Sequence, residues 1–278
     1  MYRTRFAPSP TGLLHLGHAY SAILAHDRAT AAGGAFLLRI EDTDRARCRP
    51  AFEQAIYDDL HWLGLRWETP VLRQSDHLPD YEAALDRLIA MGLCYPCRCT
   101  RADIAAATAA PQEGAPHPPV YPGTCRARPM GDRQPGDAIR LDMARALARA
   151  GTALSFTETG PAHAGTHRLS EAHLLETAGD IVLSRKDIGP AYHLTVVVDD
   201  ARQSITEVVR GEDLFDATPI HRLLQALLDL PTPTYHHNRL IRDATGKRLA
   251  KRDDARAISR YRAEGATPLD IRRIIGLA

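Results

Sequence analysis

Arg5-Phe6-Ala7-Pro8-Ser9-Pro10-Thr11-Gly12, followed by His15-Leu16-Gly17-His18, decides how the chain is read. Tyr2–Phe6 is short and β-compatible, and Ala7–Gly12 is a Pro/Ser/Gly loop. Leu16–Ala32 has helical character and stops at Gly33-Gly34. A strand therefore feeds a proline-stiffened loop that opens a helix. The unpaired backbone N–H groups and dipole of that helix end favour an anion. His15 and His18, three residues apart, share roughly one helix face, and each can donate to a phosphate oxygen. Gly17 would let a flat ligand approach the backbone.

Outward from this stretch, Ala35–Ile40 is an apolar run of strand length. Arg49–Leu63 carries Phe52, Ile56, Leu60 and Leu63 at helical spacing, and Tyr81–Met91 repeats the pattern up to Gly92. Strands alternating with helices from the N-terminus predict an α/β fold with a doubly wound parallel sheet. Residues 1–93 form the first half of this Rossmann-type domain. Residues 94–136 interrupt it as an insertion with four of the five cysteines and a Pro/Ala-rich loop, Ala105–Pro122. Residues 137–230 form the second half, in which Tyr192–Asp200 is predicted to be a buried strand. There Thr218-Pro219 is predicted to cap the helix Ile220–Leu228. Residues 231–278 hold a strand near Leu240-Ile241, a polar loop and two short helices, the last capped by Thr267-Pro268.

Composition is ordinary for a globular chain: 278 residues, 44% hydrophobic, 25% charged, net charge +1. That excludes bulk disorder and collagen-like repeats, and no apolar run reaches membrane-helix length. No signal peptide is expected, and an odd number of cysteines fits a reducing cytoplasm. A neutral total neither demands nor excludes a nucleic-acid partner. Lysine occurs only at 186, 247 and 251, so the basic residues are overwhelmingly arginine.

Three further groups carry chemistry. Gly246-Lys247-Arg248-Leu249-Ala250-Lys251-Arg252 is a basic, glycine-led loop able to stabilise charge growing on a triphosphate. Glu41-Asp42-Thr43-Asp44 follows the second strand, where a carboxylate could hold an α-ammonium. Arg5, ending the first strand, could pair with a substrate carboxylate, and Tyr192 and Arg210 stand near the strands of the second half. Cys97-x-Cys99 with Cys125 supplies three thiolates of a zinc knuckle. Zinc wants four ligands, and Cys94, His117 and Tyr121 are all candidates for the last.

The first stretch resembles the His-Ile-Gly-His-type signature of class I aminoacyl-tRNA synthetases, in its glutamyl-specific version. Arg248-Leu249-Ala250-Lys251-Arg252 resembles the second, Lys-Met-Ser-Lys-Ser signature, with arginine, alanine and arginine replacing the first lysine and the two serines. The resemblance implies that His15, His18 and Lys251 are catalytic, and that His15, Gly17, His18, Arg248 and Lys251 bind ATP, which arrives with Mg²⁺. It implies a glutamate site of Arg5, Phe6, Ala7, Pro8, Ser9, Glu41, Tyr192 and Arg210. It also picks Tyr121 as fourth ligand of one structural zinc, with Cys97, Cys99 and Cys125. Val196 stands where some glutamyl enzymes have asparagine.

The resemblance ends near Arg252, with no anticodon-binding domain expected after it. That anatomy is similar to the stand-alone glutamyl-queuosine tRNA(Asp) synthetase family. Its members activate L-glutamate with ATP and attach it to queuosine in the anticodon of tRNA(Asp). The implied protein is a cytoplasmic, monomeric ligase without membrane association. Two other readings are a truncated glutamyl-tRNA synthetase charging a tRNA 3′ end and a non-catalytic RNA-binding paralogue.

Overall fold

The computed structural model describes residues 1–100, 102–104, 120–151, 153–242 and 256–278. The first half runs β1 (Arg3–Phe6), α1 (Leu16–Ala31), β2 (Ala35–Ile40), α2 (Pro50–Trp62), β3 (Glu68–Arg73) and α3 (Leu78–Ala90). The middle runs β4 (Cys94–Cys97), β5 (Ala138–Leu141), α4 (Met143–Ala150), β6 (Ser155–Glu158), β7 (Gly165–Arg168), β8 (Val182–Arg185) and β9 (Gly189–Pro190). Then come α5 (Tyr192–Arg202), β10 (Glu207–Gly211), α6 (Thr218–Leu227), β11 (Thr234–Asn238), α7 (Ile258–Ala263) and α8 (Pro268–Ile275).

The α/β expectation holds, and the parallel sheet is present in two abutting parts. β1, β2 and β3 pair in parallel, as do β10, β11 and β6, while β7 closes the second part antiparallel. The parts meet where β1 lies against β10, and Thr206 N donates to Arg3 O at 3.0 Å. The order β3-β2-β1 followed by β10-β11 reverses at β1, so the crevice of a doubly wound sheet opens there. The apolar faces of α1 and α2 cover this sheet, with Ala22, Ile23, Ile56 and Leu60 fully buried against Leu38 and Ile40. A separate antiparallel sheet, β4-β5-β8-β9, joins residues on both sides of position 136.

Three local expectations are corrected, and one strand is added. Tyr192–Asp200 is not a strand but helix α5. Its Val196-Val197-Val198 run has β-propensity, yet Leu194, Val197 and Val196 pack into a helical core. Tertiary packing overrides a weak intrinsic preference there. Val196 is thus a core residue and does not line the large cavity described below. The last strand lies at Thr234–Asn238, not at Leu240-Ile241, because its buried positions are Tyr235, His236, His237 and Asn238 rather than aliphatic residues. β3 has no counterpart in the sequence reading, since it is an edge strand with exposed or half-buried residues and no apolar alternation. Thr218 does not cap its helix: it is the first helical residue, and its hydroxyl is engaged by Arg210. The final helix does begin at a Thr267–Asp270 capping box with Pro268, as expected.

The C-terminal helices are tied to the first half. Arg272 makes a two-pronged contact with Asp27 of α1, at 2.6 and 2.9 Å. Arg262 of α7 faces Asp59 of α2 at 3.6 Å. Asp59 is fully buried, and neither carboxylate oxygen has a hydrogen-bond donor among the described residues. Burial pushes its carboxyl up from 3.8 to about 6, against the pull of Arg262. An acid with a raised folded-state pKa favours folding below its unfolded value, and that contribution is lost as pH rises through 6. Asp59→Asn is therefore expected to stabilise the protein by on the order of 1 kcal/mol at pH 8. The gain should vanish near pH 4, as read from urea midpoints; a gain independent of pH would contradict this account.

Candidate active site

A cavity of about 560 Å³ opens at the crevice between β1 and β10. Its floor and walls come from the C-terminal ends of parallel strands and the loops after them. Arg5 and Phe6 end β1, Glu41 follows β2, Arg210 stands near the end of β10, and Tyr192 begins α5. Ala7, Pro8, Ser9, His15, Gly17 and His18 complete the set. Every site residue expected from sequence within the described residues, apart from the cysteine group, lines this one cavity. Arg248 and Lys251 lie outside the described residues. Their segment is flanked by Ile241, which lines the cavity, and by Ala257, which bridges His15. Ile258 N then donates to Leu14 O at 2.8 Å.

The two histidines cap α1 themselves. His15 Nδ1 accepts from Gly17 N at 3.1 Å, and His18 Nδ1 accepts from His15 N at 3.2 Å. Their rings lie 3.8 Å apart, centroid to centroid. Because each Nδ1 accepts, a neutral ring carries its proton on Nε2. The backbone fixes both tautomers and presents two N–H donors beside a helix N-terminus. Gly17 serves this arrangement: a Cβ there would stand 3.0 Å from His15 Cε1.

The glutamate-site candidates divide into two electrostatic ends. At one end lies a buried ion cluster. Arg5 Nε and Nη2 donate to the two oxygens of Asp200 at 2.9 and 3.3 Å. Arg39, fully buried on β2, donates to Asp200 at 2.7 Å and to Glu41 at 3.1 Å, and its Nε faces Asp199 at 3.7 Å. Asp199 also accepts from Tyr81 Oη and Gln74 Nε2 at 2.8 Å each. Burial alone would raise Asp200, but the Arg5 and Arg39 guanidiniums outweigh it and hold its carboxyl near 2. Burial raises Glu41 despite both cations, and raises Asp199 despite Arg39 and the hydrogen bonds from Gln74 and Tyr81. Counted as ionised, this cluster sets three carboxylates against two guanidiniums. It is one positive charge short, and Glu41 is its carboxylate on the cavity.

The opposite end is Arg210. Its five N–H donors meet neutral acceptors: His237 Nε2 at 3.0 Å, His221 Nδ1 at 3.1 Å, Tyr192 Oη at 3.4 Å, Thr218 Oγ1 at 2.8 Å and Leu214 O at 3.1 Å. No carboxylate among the described residues lies within ion-pair range of it. The longest contact, to Tyr192, is the one that a substrate oxygen can share. Burial, then the Arg210 charge, holds His221 well below its ordinary range, and the same two causes bring His193 down to about 4. Both rings are thus neutral, and His221 can donate through Nε2 to His193 Nδ1 at 3.1 Å. Sequence reading missed Arg39, Asp199, Asp200, His221 and His237. Arg39 and the Asp199-Asp200 pair sit inside two segments that both read as buried strands, so only their burial and counter-charges in the structure reveal them.

Apart from the cavity, Cys97, Cys99 and Cys125 bring their sulfurs within 4.8 Å of one another and could hold a metal ion. Tyr121 Oη lies 3.4 Å from Cys97 Sγ and 3.5 Å from Cys99 Sγ, and Cys99 Sγ is 3.5 Å from Cys125 Sγ. Burial would raise Cys125, but hydrogen bonding to its sulfur from Tyr121 and the Arg98 backbone lowers it to about 7. Cys94 faces the other way, buried in the main core, where desolvation raises its thiol to about 12. His117 lies outside the described residues. Cys48 is unbridged and apart from this group.

Comparisons with known proteins show the family to which the chain belongs. The model of tRNA synthetases class I (E and Q), catalytic domain, matches residues 1–278. A Rhodobacter capsulatus protein named glutamyl-Q tRNA(Asp) synthetase is 60% identical over 99% of both chains. Relatives of the same name from Symbiobacterium thermophilum and Nocardia farcinica are 41% and 43% identical, covering 82% and 80% of their own lengths. A solved glutamate tRNA ligase from Elizabethkingia meningosepticum, in complex with its amino acid, superimposes with a TM-score of 0.76 at 26% identity. It matches 99% of this chain, which spans 60% of that one.

Removing one partner of a buried ion pair typically costs about 3–5 kcal/mol. Asp200→Asn leaves Arg5 and Arg39 facing each other without their shared carboxylate, so a loss of that size is expected in chemical denaturation. A loss under about 1 kcal/mol would show that the cluster does not hold β1, β2 and α5 together.

Proposed function

The chain belongs to the class I glutamyl and glutaminyl tRNA synthetase family, and from that premise we propose that it activates L-glutamate with ATP and transfers it to queuosine in tRNA(Asp). The observation that carries the substrate half is the charge pattern of the cavity. Glu41 heads a cluster short of one cation, which suits an α-ammonium, and Arg210 is a cation with no carboxylate partner among the described residues, which suits the glutamate side chain. The acceptor half rests on the 60% identity with the Rhodobacter capsulatus relative across both full lengths.

In the first step an oxygen of the glutamate α-carboxylate attacks the α-phosphorus of ATP, and the bond to pyrophosphate breaks. Glutamyl-adenylate and pyrophosphate result. With Nδ1 of each ring accepting from backbone, the Nε2–H groups of His15 and His18 would donate to phosphate oxygens as charge builds, and Lys251 would add its ammonium. Gly17 and Arg248 would complete the nucleotide site, and Mg²⁺ would arrive with ATP. Phe6, Ala7, Pro8 and Ser9 would wall the amino acid beside Arg5. In the second step a hydroxyl of the queuosine cyclopentene ring attacks the activated carbonyl, AMP leaves, and the hydroxyl proton is released. Holding acceptor and adenylate in reach supplies much of the acceleration.

The cysteine group fits zinc. Bonds of about 2.3 Å to sulfur and 2.0 Å to oxygen around a tetrahedral ion place neighbouring ligand atoms about 3.5–3.8 Å apart. The Cys97–Tyr121, Cys99–Tyr121 and Cys99–Cys125 spacings of 3.4, 3.5 and 3.5 Å are close to that, and all three sulfurs lie within 4.8 Å of one another. Arg140, stacked 3.8 Å from the Tyr121 ring centroid, would favour the negative phenolate. The ion's contribution would be structural, tying β4 to the segment around Cys125.

The transfer reaction tests the proposal. Labelled glutamate with ATP should mark a tRNA pool containing queuosine and leave a pool lacking it unmarked. Equal label on both pools would indicate 3′ charging and overturn the queuosine reading. No label on either, with glutamate-dependent pyrophosphate exchange also missing, would indicate a non-catalytic paralogue. For the metal, elemental analysis of the purified protein should find about one zinc per chain, and Cys125→Ser should lower it at least tenfold after dialysis. Zinc content unchanged by that substitution would remove Cys125 from the ligand set.

A further inference from the structure

Arg210 is buried, and among the described residues it contacts no carboxylate, which something must enforce. Its Nε–H donates to His237 Nε2 at 3.0 Å. His237 in turn places Nδ1 2.5 Å from Glu158 Oε2, and both side chains are fully buried. Glu158 Oε1 accepts from Gly160 N at 2.6 Å and from His237 N at 2.8 Å. A carboxylate held by these donors is ionised and can only accept. It therefore requires the His237 proton on Nδ1 and leaves Nε2 bare to accept from Arg210. The Thr218 hydroxyl, which accepts from Arg210 Nη2, also has His237 Nε2 within 3.3 Å as its own acceptor. Gly160 is required for this packing: a Cβ would stand 2.2 Å from His237 O and 2.6 Å from Glu158 Oε1.

We infer that Glu158 is a positioning residue that, through the tautomer of His237, aims Arg210 as a bare cation at the side-chain carboxylate of the substrate. The negative charge stays one residue removed from Arg210. Direct contact between Glu158 and Arg210 would neutralise the cation and compete with the substrate; the interposed imidazole orients without competing. This inference rests on the glutamate reading of the cavity. Glu158→Gln preserves shape but offers its amide as a donor toward Nδ1. That favours the other tautomer and sets N–H against N–H at Arg210.

Two measurements on the full chain test this. Imidazole nitrogen shifts in histidine-labelled wild-type protein should show His237 neutral with its proton on Nδ1. In pyrophosphate exchange, Glu158→Gln should raise KM for glutamate about 10–100-fold while KM for ATP changes less than about twofold. A His237 proton on Nε2 in the wild type, or an imidazolium, overturns the inference whatever the variant does. Equal changes in both KM values, or none, also overturn it. Arg210→Gln separates the two levels. If that variant loses glutamate dependence and Glu158→Gln does not, the positioning role alone fails. If Arg210→Gln behaves as wild type, the glutamate reading of the cavity fails, and the inference with it.

Discussion

Asp200 is the carboxylate on which this structure turns. It lies near the end of α5 yet receives Arg5 from β1 and Arg39 from β2, so one side chain ties two strands of the first half to a helix of the second. Desolvating such a group is costly, and only the two guanidiniums within hydrogen-bond reach keep it ionised. The cluster then governs the cavity above it. Arg5 looks from sequence like a substrate-binding arginine, but its strongest donors are spent on Asp200. Arg39 does the same for Asp200 and reaches Glu41 with its remaining nitrogen. What is left toward the cavity is negative character at Glu41.

The two arginines expected to meet glutamate are therefore not equivalent. Arg5 is neutralised by a direct partner, whereas Arg210 is held only by neutral acceptors. A small zwitterion with a second carboxylate finds complementary charge at both ends, with no rearrangement of the protein's own ion pairs. The histidines of the first signature cap their own helix through Nδ1, which places the proton of a neutral ring on Nε2.

Much of this was legible in the sequence, and the limits have physical causes. The loop from Ala7 to His18 announces itself through proline, glycine and histidine, residue types with narrow conformational or chemical uses. The positions of Arg5, Glu41 and Arg210 around one cavity follow from strand ends in a doubly wound sheet, whereas Tyr192 reaches it from the start of helix α5. Helix α5 was misread because three consecutive valines fit a buried strand and a buried helix face alike. β11 was misplaced because its buried residues are a tyrosine, two histidines and an asparagine, and the polar ones meet partners distant in sequence: Glu158 and Arg210 for His237, Thr159 for His236 and Ser21 for Asn238. Arg39 and Asp200 were invisible for the same reason. A buried charge cannot be told from a surface charge until its counter-charge is located. The cysteine group was legible in its thiols alone, and the place of Tyr121 beside them needed either the family pattern or the coordinates.

The division of labour between the two arginines is tested most directly by a crystal structure with bound L-glutamate. The side-chain carboxylate should lie within about 3 Å of Arg210 Nη1 and Tyr192 Oη, with the α-ammonium toward Glu41 and the Arg5–Asp200 pair intact. A side-chain carboxylate paired instead with Arg5, with Asp200 displaced from it, would contradict the account.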